Sequence, residues 1–286
     1  MNNALEISHL TKDYGSFKLD DVSLTVPGGT IMGLIGENGA GKSTTIKCIL
    51  NLVRRDGGII TVFGKDNLKE ERAVKAEIGV VLDEVLFHDV LRPRQLGKIL
   101  SGLYPGWDMA LFDRYLEQFG LAGNKTVKEF SRGMKMKLAI AAAFAAKPRL
   151  LILDEATSGL DPVVRDEILD EFLNFIQDED HAILISSHIT SDLEKAADYI
   201  TYLHKGRVAV SGAKDELLDS YGKLVCGKSD LERVDHSLLG GSRVGQFGCE
   251  ALVKDRHAFA RRYPGLTVDP VTLEDIMVLT GKGDEQ

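Results

Sequence analysis

Apolar and polar residues alternate along the first segment of the chain, with Leu5 and Ile7, and later Val22, Leu24 and Val26, in step. That period of two, interrupted at Tyr14-Gly15-Ser16, predicts half-buried strands in an antiparallel hairpin or meander. Thr30 to Ile35 is almost unbroken in apolar character, which suits a strand covered on both faces. A Gly-rich turn follows, and a helix is expected from Lys42 to about Val53. Ile59 to Phe63 and Ile78 to Leu82 read as two more strands.

Between Glu84 and Ala146 the pattern becomes helical, with candidates at Arg94–Leu103, Met109–Phe119 and Arg132–Ala146. This predicts a helical subdomain, about residues 84–146, inserted into an α/β core. The core resumes with a strand at Arg149–Leu153, a helix at Val163–Ile176 and a strand at Ala182–Ser186. Lys205-Gly206 reads as a turn between Tyr199–Leu203 and Val208–Val210. Beyond Tyr221 the spacing loosens, with Gly240, Gly241, Gly245 and Gly248 as breakers and helices expected at Asp255–Arg262 and Thr272–Leu279. The expected organisation is one large domain over residues 1–220 and a small α+β accessory region over 221–286.

Composition narrows the function classes. Of 286 residues, 44% are hydrophobic and 27% charged, which excludes wholesale disorder. Lys plus Arg total 35 against 43 for Asp plus Glu, a net charge of −8, so no nucleic-acid partner is expected. Cys48, Cys226 and Cys249 have neither metal-like spacing nor the look of a disulfide framework. The longest strongly apolar stretch, Leu138 to Ala146, falls far short of the ~20 residues that span a bilayer. The start, Met1-Asn2-Asn3-Ala4-Leu5-Glu6, lacks the features of a secretory signal, and the expectation is a cytoplasmic location.

The chemistry begins at Gly36-Glu37-Asn38-Gly39-Ala40-Gly41-Lys42-Ser43, followed by Thr44, between a buried strand and a helix. Glycines let such a loop curl until successive N–H groups converge on phosphate oxygens, and the helix adds the positive end of its dipole. Lys42 is expected on the β- and γ-phosphates, and Ser43 as a ligand of Mg2+. A merely flexible Gly turn would not need the Lys-Ser pair. The run Leu150-Leu151-Ile152-Leu153-Asp154-Glu155 places two acids at the carboxyl end of a buried strand, where open α/β sheets bind ligands. Asp154 is expected to hold Mg2+ and Glu155 to act as general base on water, unless the two simply cap the next turn. These motifs fit a hydrolase and a phosphotransferase equally.

Phe130-Ser131-Arg132-Gly133-Met134 opens a helix, as an ordinary Ser cap or as a second anion-binding surface. In chain order, the phosphate loop, this Ser-Arg-Gly start, Asp154-Glu155, Ser158-Gly159-Leu160-Asp161-Pro162 and Ser186-Ser187-His188 closely resemble the nucleotide-binding subunit of an ATP-binding cassette (ABC) transporter. The resemblance runs from about Ala4 to Asp219. It implies a P-loop NTPase (RecA-like) α/β core with an N-terminal antiparallel β-subdomain and the helical subdomain. It also implies ATP and Mg2+ as cofactors, and catalysis by Glu155, His188 and Lys42. Two subunits would meet head to tail, either a second copy or a related ATPase subunit. Ser131 and Gly133 of one would then touch the γ-phosphate held by the other, with Asp161 at the interface. Tyr14 resembles the aromatic residue that stacks on adenine, with Phe17 as the nearest substitute.

The implied function is ATP hydrolysis to ADP and phosphate, coupled to transport through a separate transmembrane permease subunit at the inner face of the membrane. A groove near Asp83–Pro93 would receive that partner. The alternative is a soluble regulatory or mechanical ATPase of the same type; a small-molecule kinase would need an acceptor pocket that no feature requires. Two departures stand out. Asp83 occupies the place of a glutamine that touches Mg2+, and Phe130, Arg132 and Met134 depart from Leu-Ser-Gly-Gly-Gln. The Ser-Arg-Gly-Met style and the ending Thr272-Leu273-Glu274-Asp275-Ile276-Met277 are similar to ATPase subunits of bacitracin-resistance and related drug-efflux exporters.

Overall fold

The alternating first segment forms β1 (Asn3–Asp13) and β2 (Lys18–Pro27), paired antiparallel, in the computed structural model. The structure describes residues 3–83, 87–121, 123–246 and 248–282. Leu5, Ile7, Val22, Leu24 and Val26 are all buried, as their spacing predicts. β3 (Ile31–Ile35) is buried at every position.

α1 (Lys42–Ile49) stops short of the expected Val53. Asn51 takes φ 55°, its N–H donates to the Cys48 carbonyl, and the Leu52 N–H donates to the Lys47 carbonyl at 2.9 Å. This paired closure ends a helix whatever the apolar spacing beyond it. β4 (Gly57–Val62) and β5 (Lys65–Asp66) complete the first sheet, in the order β2-β1-β4-β5. α2 (Glu71–Glu77) follows and buries only Val74, so it carries no periodic signal, and β6 (Ile78–Val81) comes next.

The helical stretch contains α3 (Pro93–Ser101), α4 (Met109–Gln118), a short 3-10 turn at Val127–Glu129 and α5 (Arg132–Ala145). Every residue of α5 from Leu138 to Ala145 is buried. Small alanines let it lie close to its neighbours, with Phe144 stacked on Tyr115 of α4 at 5.1 Å.

β7 (Leu150–Asp154), α6 (Pro162–Phe175), β8 (Ala182–Ser187), α7 (Thr190–Ala196), β9 (Tyr199–His204) and β10 (Arg207–Ala213) finish the central sheet. Its order is β10-β9-β3-β8-β7-β6, parallel except for the β9–β10 hairpin. Lys205 and Gly206 turn that hairpin at φ 46° and 79°, the left-handed pair that matches strand twist. The carboxyl ends of β3, β7 and β8 therefore stand side by side, and each leads into one expected motif.

α8 (Lys214–Ser220) leads to β11 (Gly222–Cys226), α9 (Lys228–Leu231), β12 (Leu239–Val244), β13 (Cys249–Val253), α10 (Arg256–Arg262), β14 (Val268–Asp269) and α11 (Leu273–Lys282). The four strands form an antiparallel sheet ordered β12-β13-β11-β14. Gly240 and Gly241, expected as breakers, lie inside β12. Its register shifts between Leu239 and Gly241, and a Cβ at Gly240 would sit 3.0 Å from Leu252.

α11 does not stay with that sheet alone. Leu273, Ile276 and Leu279 are buried in one cluster with Leu193, Ala196 and Tyr202 of the larger unit. The Leu273 N–H donates to Glu194 Oε1 at 2.8 Å, and the Tyr202 hydroxyl donates to the Met277 carbonyl at 3.1 Å. Leu273→Ala is therefore expected to cost about 2–5 kcal/mol, read from urea or thermal unfolding. A change within ~0.5 kcal/mol would show that this seat contributes nothing. No helix among the described residues is long and apolar enough to cross a membrane.

Candidate active site

Gly36 leaves the end of β3 directly against β9: a Cβ there would lie 2.5 Å from the Leu203 carbonyl oxygen. Gly39 and Gly41 adopt φ 84° and 113°, which side chains strongly disfavour. Gly41 is also the N-cap of α1, and a Cβ there would meet Leu19 at 2.5 Å and Phe17 at 3.0 Å. No side chain caps α1 and its first turn holds no acid, so its opening N–H groups and dipole point at the cleft uncompensated. Ala40, buried, ties the loop down by accepting from the Gly206 N–H.

Lys42 is 6% exposed. Its ammonium donates to the Gly36 carbonyl at 2.7 Å and the Glu37 carbonyl at 3.4 Å, and lies 3.5 Å from Glu155 Oε1. Asn38, Gly39, Ser43 and Thr44 line the same cleft.

Opposite the loop, β7 and β8 pair with Asp154 in register with Ser186. Ser186 Oγ donates to Asp154 Oδ1 at 2.5 Å and accepts from the Glu155 N–H at 3.2 Å. Glu155 itself stands at φ 53°, a left-handed backbone costly for a residue with a side chain and typical of functional positions. That turn aims its carboxylate between Lys42, 3.5 Å from one oxygen, and His188 Nδ1, 2.6 Å from the other. The three residues expected to catalyse thus converge, although they come from three separate strand ends.

Asp83, just beyond β6, lines the cleft and accepts from Arg132 Nη2 at 2.7 Å. Arg132 and Ser158 line it too, and no feature of the sequence assigns Ser158 a role. For Ser186 the signal is a serine inside an otherwise apolar buried strand, which calls for a polar partner facing it.

The remaining expected residues lie outside this lining. Ser131 caps α5, accepting from the Met134 N–H at 3.2 Å, and is exposed; Gly133 rests on Leu160. Asp161 caps α6, accepting from the Val164 N–H at 3.1 Å, and is also exposed. Tyr14 stands half exposed beneath the Lys12 ammonium, 5.4 Å from its ring centroid, and it is Phe17 that lines the cleft.

Among the described residues no cluster of three or more His, Cys, Asp or Glu could hold a metal by itself. The oxygen donors Ser43, Asp154 and Asp83 fit Mg2+, which keeps waters and binds through one or two carboxylates together with phosphates.

The ABC transporter family model matches residues 19–158. The chain is 33% identical to the ABC transporter ATP-binding protein YtrB of Bacillus subtilis (strain 168), covering 77% of this chain and 75% of that protein. It is 36% identical to the bacitracin transport ATP-binding protein BcrA of Bacillus licheniformis, covering 73% and 69%. A solved structure of the ATP-binding subunit of an ABC transporter superimposes with a TM-score of 0.69 at 30% identity, covering 75% of this chain and 91% of that one. The expected P-loop NTPase fold is thus the observed one, and the chain belongs to the family of ABC transporter ATP-binding proteins.

Proposed function

We propose that this chain binds Mg-ATP, hydrolyses it to ADP and phosphate, and uses the cycle to drive a separate membrane-spanning partner, acting as an exporter. The observation that carries the reading is the meeting of Lys42, Glu155 and His188 in one cleft beneath the uncapped start of α1.

Lys42 would exchange its carbonyl partners for β- and γ-phosphate oxygens, aided by the loop N–H groups. Glu155 would take the proton of the attacking water, with His188 Nδ1 holding the carboxylate in place. Ser43, Asp154 and Asp83 would hold Mg2+, which supplies charge neutralisation on the phosphates when bound. Ser131, Gly133 and Asp161 sit at exposed or half-exposed helix starts, so they suit contact with a nucleotide held by a second copy or a related subunit. Closure of that pair on ATP, and its release after cleavage, would be the working stroke.

The bacitracin transport relative supports the exporter reading, with the chain peripheral at the cytoplasmic face of the membrane. The partner is expected at the groove near Asp83–Pro93. Residues 84–86 of that stretch lie outside the described residues; Val90, later in the same stretch, is 77% exposed. Residues 1–220 serve as the ATPase domain and 221–286 as an accessory region. Hydrolysis of Mg-ATP by the purified chain, with an ATP-dependent dimer when cleavage is blocked, tests this reading. Phosphate transfer to a small acceptor without dimerisation would favour a kinase instead.

Asp83→Ala is expected to lower turnover about tenfold while changing ATP affinity far less, since a metal-side ligand matters most as charge develops. Steady-state rates beside equilibrium binding measure the split. Unchanged turnover would remove Asp83 from the machinery.

A further inference from the structure

Asp83 and Arg132 join two parts of one subunit across the mouth of its own cleft. Asp83 follows β6, Arg132 is the first residue of α5, and the contact is a single Nη2 to Oδ1 hydrogen bond of 2.7 Å. Gly159 leaves the guanidinium its space: at φ 70°, a Cβ there would lie 3.1 Å from Arg132 Nη1. The first turn of α5 contains no acid, so Arg132 adds a cation to an already positive helix end, and Asp83 is its counter-charge. Both side chains are more than half exposed, at 57% and 52%, so the pair is hydrated and easily parted.

The same two groups have better partners in the proposed reaction. A triphosphate offers a guanidinium several anionic oxygens instead of one carboxylate, and Asp83 carries an oxygen suited to Mg2+. The pair cannot persist unchanged if both are used. We propose that Arg132–Asp83 is a charge latch within one subunit, opened by partner exchange: Arg132 turns to phosphate oxygens and Asp83 to the metal side. This deepens the Mg-ATP reading above and rests on it. It makes Arg132 a phosphate-binding residue for its own cleft.

A double-mutant cycle on nucleotide binding tests it. Four full-length chains, all carrying Glu155→Gln so that ATP is not consumed, would have no further change, Asp83→Asn, Arg132→Gln, or both. Mg-ATP affinity is measured by equilibrium titration at protein concentrations below those at which sedimentation in Mg-ATP detects the dimer. If the latch opens on binding, the parent alone must break it. Asp83→Asn should then cost less affinity in the parent than in the Arg132→Gln background, by about two- to fivefold at low salt. The difference should shrink as salt screens the exposed pair. Additive effects at both salt levels would overturn the latch while leaving the nucleotide reading intact. A parent that binds no ATP would overturn that reading, and the latch with it.

Discussion

Lys42→Ala is expected to weaken ATP binding by about a hundredfold or more and to remove measurable turnover. The ammonium is buried, and its present partners are the Gly36 carbonyl at 2.7 Å, the Glu37 carbonyl and the Glu155 carboxylate. Two charge-assisted hydrogen bonds to phosphate in such a place contribute about 3–4 kcal/mol together, which corresponds to a few hundredfold in affinity. Arginine should not rescue the function, because a planar fork does not fit where a compact ammonium sits 6% exposed against the loop carbonyls. The fold should survive, since α1 keeps Thr45 Oγ donating to the Gly41 carbonyl and Glu155 keeps His188. Titration with ATP, beside a melting curve, checks both statements. Near-normal affinity in a folded Lys42→Ala chain would mean that the loop does not hold the phosphates.

Glu155→Gln should separate binding from cleavage. The amide can still approach His188 and water, but it cannot accept a proton, and loss of a general base costs about 10^2–10^4 in rate. One negative charge also leaves a cleft that must accept a triphosphate, so ATP should bind at least as tightly as in wild type. The expected result is phosphate release near background together with a dimer that persists on sedimentation in Mg-ATP, while wild type forms it only transiently. Wild-type turnover in the variant would remove Glu155 as the base. A variant that is inactive yet monomeric with ATP bound would leave the chemistry standing and remove the dimer.

The sequence made the centre of the fold legible because β3, β7 and β8 are mainly apolar runs, polar only at the carboxyl ends of β7 and β8, and buried at every position. Their ends carry the motifs, so the site's location followed. What escaped depends on backbone closure or on weak burial. Asn51 ended α1 through its φ 55° turn, and α2 buries one residue, too few for a period. α7 and α8, seven residues each, are equally short. Within the site, Lys42 and Glu155 were readable from their motifs, but the left-handed turn that aims Glu155 was not. Arg132 and Asp83 lie 49 positions apart, and nothing local says that they touch. Which of Tyr14 and Phe17 lies against the loop depends on tertiary packing that spacing does not show, and Phe17 is the ring packed where a Gly41 side chain would be.

The seat of α11 limits how freely parts can be exchanged between relatives. A Cβ at Gly281 would stand 3.1 Å from Glu37 Oε1 in the phosphate loop, while Glu194 of α7, the helix that follows His188, accepts the Leu273 N–H. A chimera that grafts another protein's tail onto this core must therefore match two surfaces at once, or it will perturb both ends of the nucleotide cleft.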